Sequence, residues 1–214
     1  MKTVDNFDLL ANKLFETPLN DGEFYFVQIL VRGKDGHHVG GNNKNRLIRY
    51  YIVRGKEKLL ELKPEIVSLC RLHNARAYIH TTPREDKTVA SEMLKDAVNE
   101  FTVGNYHVFR RLFSTACGRT YSTKKKTFLV DLDGKYAEEP RCSYFENFIN
   151  NCRGKGENNK IIARVPTKNG MHLICHPFDI GEFEMKAKMH FIKEDAAFVP
   201  PDIHKNNPTL LYFE

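Results

Sequence analysis

The sequence lacks the marks of several common functional classes. It contains no apolar run long enough to cross a bilayer, and its opening stretch, Met-Lys-Thr-Val-Asp-Asn-Phe-Asp, has none of the apolar character of a secretory signal. These absences predict a cytoplasmic protein with no membrane partner. It also lacks a Cys-x-x-Cys pair: Cys70, Cys117, Cys142, Cys152 and Cys175 are odd in number and widely spaced. That pattern argues against a structural zinc site and fits free thiols in a reducing compartment. There is no internal repeat, no low-complexity segment and no aromatic-basic signature of the RNP kind, so base-specific recognition is not indicated.

What is present is enough to fold. The 214 residues are 41% hydrophobic, sufficient for a sizeable core in a single domain, 1–214, with possible lobes at 1–120 and 121–214. The formal charge of +6 favours a polyanionic partner such as nucleic acid or nucleotide phosphates. Phe7, Leu10, Ala11, Leu14 and Phe15 recur at helical spacing and stop before Pro18, while Phe24–Val31 and Leu47–Val53 read as strands. The segment between them, Gly33–Arg46, is rich in glycine, asparagine and basic residues. It reads as a solvated connection, or as a flap whose Lys34, Lys44 and Arg46 meet phosphates. A helix over Leu59–Leu72, begun or kinked by Pro64, leads to a strand at Ala75–His80. Val89, Met93, Leu94, Ala97, Val98 and Phe101 form a further helical stripe, and Val108, Leu112 and Phe113 another. Both are expected in the core. Helix Ser143–Cys152, strand Ile161–Val165, an Asn-Gly turn and a closing β-rich stretch that includes Phe183–Ile192 complete the pattern. Strands mixed with helices without strict alternation predict an α+β fold with a mixed or antiparallel sheet and packed helices.

Three constellations carry chemistry. Thr127–Lys135 is an apolar run ending in Asp131 and Asp133, preceded by three lysines, Lys124–Lys126. Carboxylates two apart on a strand share one face and can hold divalent cations, although the same letters also end strands in solvated turns. Lys168-Asn169-Gly170-Met171-His172 reads as a tight turn that fixes where His172 points. Asp202 is followed by Lys205, Asn206 and Thr209, with Asp195 as a rival acid.

In this order the three resemble the catalytic core of the archaeo-eukaryotic primase and primase-polymerase superfamily: a strand-borne Asp-x-Asp, a turn ending in His, and a later acid. The third also resembles the polymerase domains of bacterial end-joining ligases. The stretches Asn74–Arg84, Thr127–Asp133, Thr167–Phe178 and Asp202–Tyr212 are similar to small proteins of bacteriophages and mobile elements. The resemblance implies a two-lobed core in which Asp131, Asp133 and Asp202 hold two Mg²⁺ or Mn²⁺ ions. A nucleic-acid 3′-hydroxyl would then attack the α-phosphate of a nucleoside triphosphate. It also implies that His172, with Asn169, Gly170, Asn206 and Thr209, holds the triphosphate. Lys168, Lys205 and Arg84 would offset its charge, and a replication-protein partner would assist. One departure is that Lys168-Asn169-Gly170 stands where a serine or second glycine is usual. Three other readings stay open at this point. They are a two-histidine phosphoesterase using His80-Thr81-Thr82 and His172, a metal-dependent nuclease on the same carboxylates, and a non-catalytic protein that binds nucleic acid or a host factor.

Overall fold

The run from Glu23 to Val31 shows none of the polar alternation of a half-exposed strand, which suits a strand covered on both faces. In the computed structural model, which describes residues 3–33, 45–156 and 158–214, this run is buried along nearly its whole length. The chain is an α+β protein with two antiparallel sheets in two units, Met1–Lys125 with Leu210–Glu214, and Lys126–Thr209. The expected lobe boundary after residue 120 lies instead at 125, and the last residues return to the first unit.

The first unit runs β1 (Val4–Asp5), α1 (Phe7–Leu14), β2 (Glu23–Val31), β3 (Arg46–Val53), α2 (Lys56–Glu61), α3 (Lys63–His73), β4 (Arg76–His80), β5 (Arg84–Glu85), α4 (Asp86–Thr102), a 3-10 segment (Tyr106–Arg111) and α5 (Leu112–Arg119). Phe24 and Phe26 of β2 pack with Val89 of α4 and with Ala116 and Cys117 of α5. Alternate residues Tyr25, Val27 and Ile29 are buried too, and the Tyr25 hydroxyl donates to the Leu14 carbonyl at the end of α1 (2.8 Å). The helix expected over 59–72 is two helices that meet at Leu62. Pro64 sits in the first turn of α3, where its missing N–H leaves no bond unmade. Asn74 (φ 46°) closes α3 in the left-handed conformation. Residues 34–44 of the expected flap, including Lys34 and Lys44, lie outside the described residues; Arg46 opens β3 and is exposed. One expectation fails here. Of the α4 stripe only Val89 is buried, while Leu94, Val98 and Phe101 face solvent.

The second unit runs β6 (Phe128–Asp133), α6 (Arg141–Asn150), β7 (Ile161–Pro166), β8 (Gly170–Cys175), α7 (Ile180–Phe191) and β9 (Asp202–His204), after which β10 (Pro208–Phe213) carries the chain into the first sheet, between β1 and β4. This βαββαβ order, with the sheet arranged β7-β8-β6-β9 and every neighbour antiparallel, is the split-βαβ topology of ferredoxin-like domains. Phe128, Val130 and Leu132 of β6 and Leu173 and Cys175 of β8 share one core with Phe145, Ile149, Phe183, Ala187 and Phe191 of the two helices. Full burial contributes about 1.5–3 kcal/mol for each large apolar side chain. Phe183–Ile192, expected within a β-rich stretch, is mostly helix. Asp179 caps α7 by accepting from the Glu182 N–H (3.1 Å), and Phe183, Ala187 and Phe191 recur every fourth residue on its buried side.

Candidate functional site

Because alternate residues of β6 enter the helix-covered core, the residues between them, Leu129, Asp131 and Asp133, project from the opposite face. The register then decides what meets Asp131. On one side it pairs with His172 of β8, and on the other with Asp202 of β9. Three adjacent strands therefore place His172, Asp131 and Asp202 in one row. Asp133 lies one step along on the same face, opposite Gly170. His172 Nε2 stands 3.3 Å from Asp131 Oδ1, and Nδ1 is 2.9 Å from Thr209 Oγ1. In the neutral Nε2–H tautomer the Thr209 hydroxyl donates to Nδ1 and the ring donates to the carboxylate; in the imidazolium the first bond reverses and the second becomes an ion pair. Thr209 is 0% exposed. It therefore orients His172 and is not itself a ligand-facing group or an accessible nucleophile, which corrects its assignment to nucleotide contact.

The turn before β8 is locked from both sides. Thr167 N–H donates to the Gly170 carbonyl and Gly170 N–H donates to Thr167 Oγ1, each at 3.0 Å, while the Asn169 carbonyl accepts from Gly134 N–H (3.1 Å) just beyond Asp133. Gly170 serves a role other than a left-handed turn position: a Cβ there would stand 2.0 Å from the Leu132 carbonyl oxygen. Only glycine allows β8 to approach β6 this closely beside Asp133. Lys168 and Asn169 are exposed at the turn tip.

The other expected groups fall elsewhere. Asp202 is the acid beside Asp131. Its rival Asp195 instead pairs with Lys135 (3.0 Å) and accepts from Ala197 N–H (3.0 Å), and the Lys135 ammonium holds its carboxyl below the usual range. Lys205 and Asn206 follow β9 in a bend beyond His204, which pairs with Leu129. Because β9 runs antiparallel to β6, Lys205 is carried about 10 Å along the strand direction from Asp202, away from Asp133. Arg84 is fully buried in the first unit and binds the Cys117 carbonyl (2.8 Å), the Thr82 carbonyl (2.5 Å) and His80 Nδ1 (2.7 Å); burial lowers its pKa to about 10. It braces the turn after β4 and offers no surface to a phosphate, which corrects its assignment. His80 is enclosed by the same contacts, with Gln28 Oε1 3.4 Å from Nε2. The phosphoesterase reading thus lacks an exposed second histidine. His204, on the same strand face as Asp202, was not singled out from the sequence, although the Asp-x-His alternation was there to be seen.

Among the described residues no group of three or more His, Cys, Asp or Glu side chains is closed around a common point. The donor set nonetheless suits a hard cation. Like charges directly opposite on neighbouring strands, as at Asp131 and Asp202, repel each other, and oxygen-binding divalent ions relieve that repulsion. No protein-family model matches the chain, and neither does any curated protein or solved structure.

Proposed function

We propose that the face of the second sheet opposite its two helices carries a cation-dependent nucleotidyl-transfer site that joins nucleotides to a nucleic-acid 3′ end, as in the primase-polymerases its motifs resemble. The observation that carries this reading is the single row His172–Asp131–Asp202 across β8, β6 and β9, with Asp133 on the same face. Asp131, Asp133 and Asp202 are the groups that would hold Mg²⁺ or Mn²⁺, and such ions supply charge stabilisation and activation of an attacking hydroxyl. His172 is oriented by Thr209 through Nδ1, and its Nε2 contact of 3.3 Å is at the loose end of hydrogen-bond distances. That nitrogen is therefore the one to exchange the carboxylate for a phosphate oxygen. Lys168, exposed at the turn beside Asp133, adds positive charge at the same end of the row. Gly170 and the closed β7–β8 turn hold these groups on rigid strands, where positioning contributes most to phosphoryl transfer.

The test is extension of a labelled primer with Mn²⁺ or Mg²⁺ and nucleoside triphosphates. Asp131→Ala and His172→Ala should each abolish extension with the fold intact by circular dichroism. Extension retained by both variants overturns the reading. Primer shortening in place of extension would assign the same carboxylates to a nuclease.

A further inference from the structure

A second surface is left without a role by this reading and does not depend on it. In the first unit, the 3-10 segment Tyr106-His107-Val108-Phe109-Arg110-Arg111 buries none of its side chains. A 3-10 helix has three residues per turn, so side chains three apart eclipse one another. Tyr106 and Phe109 therefore form one ledge, 61% and 41% exposed, and His107 and Arg110 form the next. Phe101, at the end of α4 and 63% exposed, meets Tyr106 edge to face with ring centres 5.7 Å apart. The acids of α4 nearby are already engaged: Glu92 with Lys95, Asp96 with Arg119, and Glu100 by the Asn105 side-chain amide. Among the described residues neither Arg110 nor Arg111 is in an ion pair, and both are exposed.

We infer that this ledge binds single-stranded nucleic acid. Flat rings accept the faces of unpaired bases whatever their identity, and Arg110 on the neighbouring ledge, with Arg111 one residue on, supplies positive charge for the phosphates that run between the bases. A purely apolar partner would leave the arginines desolvated or unused, whereas a polyanion with stacking bases uses both halves of the surface. The net charge of +6 favours the same occupant.

The test measures binding of a fluorescent 20-mer oligothymidylate by anisotropy, in EDTA and without nucleotides, so that failure of the carboxylate site leaves the result unaffected. Tyr106→Ala with Phe109→Ala should raise Kd by at least about tenfold, the size of one lost base–ring stack, with little change in salt dependence. Arg110→Ala with Arg111→Ala should reduce the slope of log K against log salt by about 1.4, two phosphates' worth on a single strand. Tyr106→Ala alone removes a ring that is mostly solvent-exposed, and Tyr106→Phe should restore wild-type affinity. Wild-type binding by the folded ring variant overturns the inference. So does a concentration-dependent dimer broken by the same substitutions, which would assign the face to a second copy of the chain.

Discussion

Gly170→Ala tests whether the register beside Asp133 is a requirement of the site. The added Cβ would stand 2.0 Å from the Leu132 carbonyl oxygen and 3.0 Å from the Asp133 Cα, both backbone atoms of the adjacent strand. Ordinary carbon–oxygen contacts lie at about 3.3–3.6 Å, so β8 must move from β6 by more than about 1 Å. Overpacking of this kind costs about 1–3 kcal/mol, equivalent to a melting point lower by about 3–10 °C for a chain of this size. The same displacement falls between Asp133 and the turn carrying Lys168, and misplacing a reacting group by 1 Å costs on the order of a hundredfold in rate. Thermal melts and primer extension measure the two effects separately. Gly118→Ala is the control. It lies within α5, a Cβ there meets nothing within 4 Å, and alanine should raise helix stability by up to about 1 kcal/mol. A Gly170→Ala protein that melts within a degree of wild type and retains full activity would refute the argument.

Thr209→Val deletes the hydroxyl that holds His172 Nδ1 while keeping the side-chain shape. It should cost about 1–2 kcal/mol and lower the rate of extension, with Thr209→Ser restoring both; equal activity in the valine variant would deny Thr209 its orienting role. All five cysteines are buried, and burial raises the thiols of Cys70 and Cys117 to about 12. A disulfide-exchange reagent at pH 8 should therefore label none in the native protein and all five after denaturation, and rapid native labelling would contradict the packing. Acid should weaken the second unit. Burial, with Lys155 adding to it, holds His176 below 6.5, so the unfolded chain takes up its proton first and stability falls as pH drops through that range. The Arg153 N–H and the Lys186 ammonium hold Glu182 at about 2, so its contribution is present above pH 4.5 and is lost as pH falls through about 2. Chemical denaturation between pH 7 and 3 measures this trend, and a stability that rises on acidification would be the wrong sign.

Much of the scaffold was legible because periodicity survives in the sequence. The alternation Phe128, Val130, Leu132 against Leu129, Asp131, Asp133 assigns both faces of β6 without coordinates. The reading of 183–192 failed because Phe183, Met185, Ala187, Met189 and Phe191 alternate with Glu184, Lys186, Lys188 and His190, which is the period of a strand. Met185 and Met189 are exposed on the helix, so they mask the buried four-residue spacing of Phe183, Ala187 and Phe191. The α4 stripe failed in the opposite sense, since Leu94, Val98 and Phe101 have helical spacing but no covering element among the described residues of their unit. For Arg84 and Thr209 the resemblance implies contact with the nucleotide, and burial, which a motif does not encode, makes them braces for other groups. Lys205 follows Asp202 in the motif that carries the resemblance, but nearness along the chain is no guide to nearness in space where a strand runs on from the site.

The carboxylate row follows from topology more than from any one motif. In the order β7-β8-β6-β9, the first strand of the unit becomes a central one and receives the third and fourth strands, β8 and β9, as its neighbours, so positions 131, 172 and 202 meet although they are far apart in the chain. The two helices of the unit pack on the face that carries Phe128, Val130 and Leu132, so the charged residues of β6 stand on the side away from that core. Such an arrangement depends entirely on register. A slip of β8 by one residue would bring Met171 or Leu173 beside Asp131 and turn His172 into the apolar layer, where an imidazole without partners is costly. The close approach at Gly170 and the two hydrogen bonds across Thr167 oppose that slip at the end of β8 nearest Asp133. A glycine with no side chain of its own thereby governs the placement of the histidine and of the acid opposite it, and its substitution should reach the site before it reaches the fold.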